Sequence, residues 1–333
     1  MKRDFLFFDL GTETLRIFSA QKGLIFHGPS RVAYNENGDV TGYGSEVDDS
    51  QLLERNSIIY PIRKGNIANH HALLDLLKQI IRDAYKKSLT GRVVPVFSVS
   101  PFSTNVEQRA LFYVADALEM GKVAFIPEYV FQLSSVFGKP DVKGLEFLIQ
   151  TGIGRIDICL VNDSRLIYGE TLKGGFEKIQ KKILRFLRAD WDIEVGKKTL
   201  NTLLTTTAGE EISIQGRNKI TGEPVTVEVN HTYFMSIVKM ESAQLMDAMR
   251  RVFERIPPDL TAEFLEKGIR ISGGPVNEPW FLNILKKESD FRINMTDTPG
   301  EDILNGFRRV CDGDYEKIVS DYSFLPLGAE VTR

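Results

Sequence analysis

One pattern occurs twice and constrains the architecture more than any other. Residues 8–26 read "FDLGTETLRIFSAQKGLIF" and residues 149–168 read "IQTGIGRIDICLVNDSRLIY". Placed without a gap so that Asp9 meets Gln150, Gly11 falls on Gly152, Ile17 on Ile158, Phe18 on Cys159, Gly23 on Ser164 and Ile25 on Leu166. Each copy reads as an apolar strand, a glycine turn, a second strand, a polar turn and a third strand. Alternating strands joined by tight turns also look alike by chance, so the segments that follow them bear on the reading. After the first copy and a variable stretch comes "HHALLDLLKQIIRDAYKK", whose Leu73, Leu77, Ile81 and Ala84 share one helical face. After the second comes "FEKIQKKILRFL", where Phe176, Ile179, Ile183 and Phe186 do the same. A strand hairpin followed by a helix thus occurs twice, which predicts an α/β chain of two similar halves, each a mixed sheet flanked by helices.

With 333 residues and 42% hydrophobic content, the chain can bury a core large enough for two domains. Other helices are expected at "VEQRALFYVADALEM", capped by Thr104 or Asn105 and ending at Gly121, and at "MSIVKMESAQLMDAMRRVFERI", stopping at Pro257 and Pro258. A formal net charge of −3, with both signs mixed along the chain, leaves no electrostatic footprint for nucleic acid. Cys159 and Cys311 stand alone, without a CxxC or a His pair at ligand spacing, and fit a reducing cytoplasm. The N-terminal "MKRDFLFFDLG" has an apolar run of four residues. A bilayer span needs about 18, so neither a signal peptide nor a membrane span is expected.

Three turns follow apolar strands, where α/β sheets usually bind ligands: "DLGTET" (9–14), "QTGIGR" (150–155) and "SGGP" (272–275). In the first, Asp9 would hold a cation through water while Gly11, Thr12 and Glu13 offer backbone donors and a hydroxyl to phosphate oxygens. The same residues also suit a plain hairpin. Glu128, just after a strand in "FIPEYVF", is placed to polarise a water or to lie exposed in a loop. Lys173, before Gly174 and Gly175, would meet a phosphate or stay solvated. His70 and His71 have no partner at metal spacing, and no Walker loop, Ser/His/Asp signature or zinc set occurs.

These residues resemble the actin, sugar kinase and Hsp70 superfamily, and within it the chain is similar to the MreB-like bacterial actins nearly end to end. The most specific stretches are "IIYPIRKGNIAN" (58–69), similar to the family's "RPxxDGVIAD", and "IQGRNKITGEPVTVEV" (214–229), similar to "GRDLxTGLPxxxEV". A third, "FERIPPDLTAEFLEKGIRISGG" (253–274), is similar to "LExTPPELxxDIxxxGIxLTGGG". The resemblance implies an actin-like fold with a nucleotide cleft between halves 1–140 and 141–333. Smaller inserted subdomains are expected at about 28–69 and about 181–235, and the C-terminal segment from about 300 to 333 is expected to return to the first half.

Carried over position by position, the family's first phosphate loop "DLGTANT" matches Asp9, Leu10, Gly11 and Thr12, then departs at Glu13 and Leu15, with Thr14 in the asparagine's place. Asp9 would hold magnesium through water, and Glu128 stands at the catalytic glutamate. The second loop, "DIGGGTTE", is here Gln150, Thr151, Gly152, Ile153, Gly154, Arg155, Ile156 and Asp157. An amide replaces the carboxylate that would help to place the metal, and Arg155 either stands in for metal charge or blocks the site. The turn near the adenine, "GGGS", is Gly273, Gly274, Pro275 and Val276, while "KIEIG" is replaced by "LNTLLTT" (200–206). Gly174 and Gly175 join the expected cofactor contacts.

The resemblance implies a filament-forming cytoskeletal protein in cell-shape determination or wall-synthesis organisation, taking ATP or ADP with Mg at an eroded site of weak hydrolysis. Its partners would be other copies of itself, cell-shape or wall-synthesis proteins and the membrane's inner face, with no nucleic acid. For membrane contact the loop "KKSLTGR" (86–92) offers Leu89 among Lys86, Lys87 and Arg92. The alternatives are a non-polymerising adaptor or pseudo-ATPase, and a small-molecule kinase of the same fold.

Overall fold

The computed structural model describes residues 4–47, 56–85, 93–196, 199–200, 203 and 211–324. In its first half β1 (Asp4–Leu10), β2 (Thr14–Ser19) and β3 (Gly23–Pro29) form an antiparallel meander. The chain then builds a small sheet from β4 (Val32–Tyr34), β5 (Val40–Tyr43) and β6 (Ser57–Ile59), and a hairpin from β7 (Ile62–Arg63) and β8 (Asn66–Ile67). Helix α1 (His70–Tyr85) leads to β9 (Val93–Val99), which lies parallel to β1. After α2 (Asn105–Ala117) comes β10 (Ala124–Pro127), parallel to β9. Helix α3 (Glu128–Phe137) crosses to the second half, where β11 (Leu145–Thr151), β12 (Arg155–Asn162) and β13 (Arg165–Lys173) repeat the meander. Then follow α4 (Gly175–Asp190), a small sheet of β14 (Ile193–Glu194), β15 (Glu211–Asn218) and β16 (Pro224–Asn230), and finally β17 (Ile269–Ser272) and β18 (Ile293–Met295).

The two large sheets have one topology. The orders β3-β2-β1-β9-β10 and β13-β12-β11-β17-β18 superpose element for element. Asp9 faces Arg16 on one side and Ser98 on the other, as Gln150 faces Asp157 and Ser272. The expected offset of 141 residues therefore holds through two strands. It fails in the third: Pro29 faces Thr14 and Lys173 faces Arg155, an offset of 173 − 29 = 144. The expected matches of Gly23 with Ser164 and Ile25 with Leu166 do not hold, because β12 is two residues longer than β2 and the two hairpins bulge at different points, Ile17/Phe18 and Leu160/Val161.

Alternation along the first strand of each half sorts the core into layers. Leu6 and Phe8 pack towards α1 and α2, and Phe147 and Ile149 into the second half's own core. Phe7 and Leu148, equivalent by the 141 offset, turn the other way and meet in one cluster with α3 and the helix Asp302–Asp312. Phe7 is completely buried there between Phe131 and Phe307. Burying such a ring stabilises the fold by about 1.5–3 kcal/mol.

The side chain of Thr104 caps α2 in a reciprocal capping box with Glu107, and the helix ends at Ala117, before the expected Gly121. The long helix His231–Phe253 starts ahead of the expected Met235 because Asn230 accepts from the Thr232 N–H at 2.9 Å. The expected insert limits at 181 and 235 fall inside α4 and this helix, and the small sheet itself spans residues 193–230. Near the C-terminus, the helices Asp302–Asp312 and Tyr315–Tyr322 return to α3 and β10, where the Phe324 N–H donates to the Phe125 carbonyl at 3.0 Å.

Candidate functional site

The turns after β1 and β11 face each other across a cleft of about 330 Å³. Asp9, Gly11, Thr12, Glu13 and Thr14 line it from the first half, together with Glu128 at the start of α3. Gly152, Ile153, Gly154 and Arg155 line it from the second, and Gly273, Gly274 and Pro275 close a further side. The halves touch here. The Thr12 hydroxyl accepts from the Gly65 N–H at 2.9 Å, and a Cβ on Gly154 would overlap both of these groups and lie 2.8 Å from the Lys64 carbonyl carbon. Glycine is required at residue 154 for this approach.

The second turn is fastened from behind. Carbonyls of Gly152, Ile153 and Gly154 accept from the N–H groups of Phe176, Glu177 and Gly174 at 3.1, 2.8 and 2.8 Å. The N-terminus of α4 is thus consumed by the turn, while the N–H groups of Ile153 and Gly154 make no hydrogen bond among the described residues. This corrects the expectation for Gly174 and Gly175. They lie behind the turn and do not line the cleft; Gly175, at φ +39°, is pressed against the Gly152 and Ile153 carbonyls, with its missing Cβ 2.7 Å from the Arg155 nitrogen. Lys173 is also accounted for, since it pairs with Glu107 of α2 at 3.2 Å. His71 pairs with Asp75 at 3.3 Å on an exposed face of α1.

Both arginines of the cleft are engaged by acids. Arg16, opposite Asp9 in the β1–β2 register, donates to Asp9 Oδ2 and to the Gly300 carbonyl, each at 2.7 Å. Arg155 donates to Glu128, to Asp157 Oδ2 at 3.1 Å and to the Gly65 carbonyl at 3.1 Å. Glu128 and Asp157 are both buried. Burial pushes the Glu128 carboxyl up to about 7, Arg155 pulls against that, and Asp157 and Asp9 add to it. Gln150 turns its amide oxygen to the Ser272 hydroxyl, which also accepts from Gln132 at 2.9 Å.

Sequence reasoning gave no individual role to Arg16, Asp157, Gln132 or Ser272. Arg16 and Asp157 could have been found from the hairpin, because a three-residue turn sets Asp9 and Gln150 opposite residues seven positions on. A second repeat also went unread: "SVSP" (98–101) and "SGGP" (272–275) follow equivalent strands, and their first serines pair with Asp9 and Gln150.

The donor set does not fit a divalent cation of the kind the resemblance implies. Such an ion wants carboxylate oxygens or waters held by them. Here one position is an amide, Glu128 and Asp157 share one guanidinium, and Asp9 is bridged by another. Among the described residues no group of three or more His, Cys, Asp or Glu could hold a metal. The expected "LNTLLTT" contacts (200–206) fall mostly outside the described residues, as does the 86–92 loop.

Comparison with known proteins gives a match to the family model described as MreB/Mbl protein over residues 3–318. The chain is 26% identical over 310 residues to the cell shape-determining protein Mbl of Bacillus subtilis, covering 90% of this chain and 92% of that protein. It is 22% identical over 312 residues to the cell shape-determining protein MreB of Escherichia coli K12, covering 87% and 88%. Among solved structures, MreB5 of Spiroplasma citri bound to AMPPNP superposes with a TM-score of 0.82 at 18% identity, covering 96% of this chain and 99% of that one. The MamK double helical filament gives 0.72 at 17%, covering 94% and 99%. At these identities the two structures share the fold.

Proposed function

The chain belongs to the MreB/Mbl family, and on that premise we propose that it is an actin-like cytoskeletal protein. It takes an adenine nucleotide in the cleft, assembles with copies of itself into filaments, and serves cell shape or the organisation of wall synthesis. The observation that carries this reading is the pair of half-sheets in matching register, which sets two glycine turns face to face over one cleft. The relatives support it: the S. citri protein was solved with AMPPNP and with ADP, and MamK as a filament.

Toward a nucleotide, the N–H groups of Ile153 and Gly154 would meet phosphate oxygens from one half, and Thr12 with the Gly11 backbone from the other. Glu128 is placed to orient a water, but in this structure its carboxylate is held by Arg155. Hydrolysis is therefore slow in the native chain. In Gln150→Asp/Arg155→Thr, which frees Glu128 and restores the acid, turnover rises by about a hundredfold, the low end of a general-base contribution. Phosphate release from ATP checks this, and Glu128→Ala should abolish the gain. The Glu128–Arg155 pair also favours a second reading, a non-polymerising adaptor or pseudo-ATPase of the same fold. Electron microscopy and pelleting of the purified chain with and without ATP separate the two: filaments in either condition support assembly, and their absence from both leaves the adaptor. No helix among the described residues is long and apolar enough to cross a membrane.

A further inference from the structure

We propose that the Arg155 guanidinium serves the phosphates of a bound nucleotide in place of a hydrated divalent cation, so that this cleft takes ADP or ATP without a metal. The inference rests on the nucleotide reading of the cleft given above.

Three observations carry it. The first is placement. Arg155 directly follows Gly154, so its side chain leaves from the turn whose Ile153 and Gly154 N–H groups are unspent among the described residues. The second is preorganisation. The guanidinium is held on three sides, by the Gly65 carbonyl, Asp157 and Glu128, which leaves little rotamer freedom to lose when an anion arrives. A guanidinium carries five N–H donors, and three bonds among the described residues leave 5 − 3 = 2 for a phosphate.

The third observation is the state of the acids. Gln150 adds no charge, and Asp9 already has its cation in Arg16. Asp157 and Glu128 are engaged by Arg155 itself. A metal entering this cleft would have to displace a buried guanidinium from both carboxylates, whereas a phosphate needs only to join it.

The test is calorimetric titration of the full chain with ADP and with ATP, in magnesium chloride and in excess EDTA, with pelleting of the same samples. Equal affinity in the two buffers, within about threefold, is the expected result. Arg155→Met should weaken binding in both by about ten- to a hundredfold, the loss of a charge-assisted hydrogen bond. Arg155→Lys, which keeps the charge without the fork, should fall between. If Arg155→Met does not fold, the lysine variant and the two-buffer comparison decide. Tenfold or greater dependence on magnesium, unchanged affinity in Arg155→Lys or Arg155→Met, or no nucleotide binding in either buffer overturns the proposal. Filaments in those same samples would leave the cytoskeletal reading standing, and their absence would remove both.

Discussion

The turns at residues 9–14 and 150–155 share a backbone and differ in where their charge sits. In the first, the acid is on the leading strand and its arginine opposite, Asp9 with Arg16. In the second, the leading position is the neutral Gln150, the acid has moved opposite to Asp157, and the cation stands two residues earlier at Arg155. Arg16 reaches Asp9 on its own hairpin and, by one bond, the Gly300 carbonyl beside Gly274, whereas Arg155 makes two bonds to the other half, to Glu128 and Gly65. Register thus keeps the shape of a duplicated site while the chemistry is redistributed. The second turn carries more of the bonding between the halves.

The most direct way to break the contrast is to remove Arg155. Arg155→Met leaves Glu128 and Asp157 buried without their cation and should cost about 3–5 kcal/mol in urea unfolding. The loss has a pH signature. Glu128 is raised from 4.5 to about 7 in the fold, so the native state holds the extra proton between those values. Its contribution to stability therefore falls as pH rises through that window and is level above it. Without Arg155, which lowers this pKa, the shift goes further up, so the variant's deficit should be smaller at pH 5 than at pH 8. Equal deficits at both pH values would show that Glu128 is not the stranded charge.

Gly154→Ala comes next, at about 1–3 kcal/mol, because the new methyl meets Thr12 and the Gly65 turn. Thermal or urea unfolding checks it. Thr12→Val removes the acceptor of the Gly65 N–H and should cost about 1 kcal/mol, while Ile153→Thr, the equivalent place in the second turn, should change little. The smallest effect expected is Glu13→Ala, within about 0.5 kcal/mol. Should it match Gly154→Ala, the two turns would be equally engaged and the contrast drawn above would fail.

The duplication was legible because a glycine turn and period-two alternation leave a mark that survives replacement of nearly every side chain. The third strand was not, since a bulge shifts register without leaving a residue signature at 17–18 or 160–161. The cleft residues were legible from the two glycine turns and from Glu128 after its strand. What those residues do in the absence of ligand was not, because Arg16 and Arg155 reach their partners across strands and between halves, and composition along the chain does not record such distances. Gly174 and Gly175 misled for a related reason: glycine beside a phosphate-shaped turn serves close backbone packing as readily as ligand approach.

Phe7 and Leu148 sit midway along equivalent strands, on the same side, in the one layer shared by both halves. Each is two residues from its turn, so the layer stands at the base of two short arms whose tips are the turns. The Arg155 bonds to Glu128 and Gly65 lie out at the tips, where the lever arm is longest. In that position a few hydrogen bonds suffice to hold two whole sheets in one relative orientation, because any tilt between the sheets displaces the tips most.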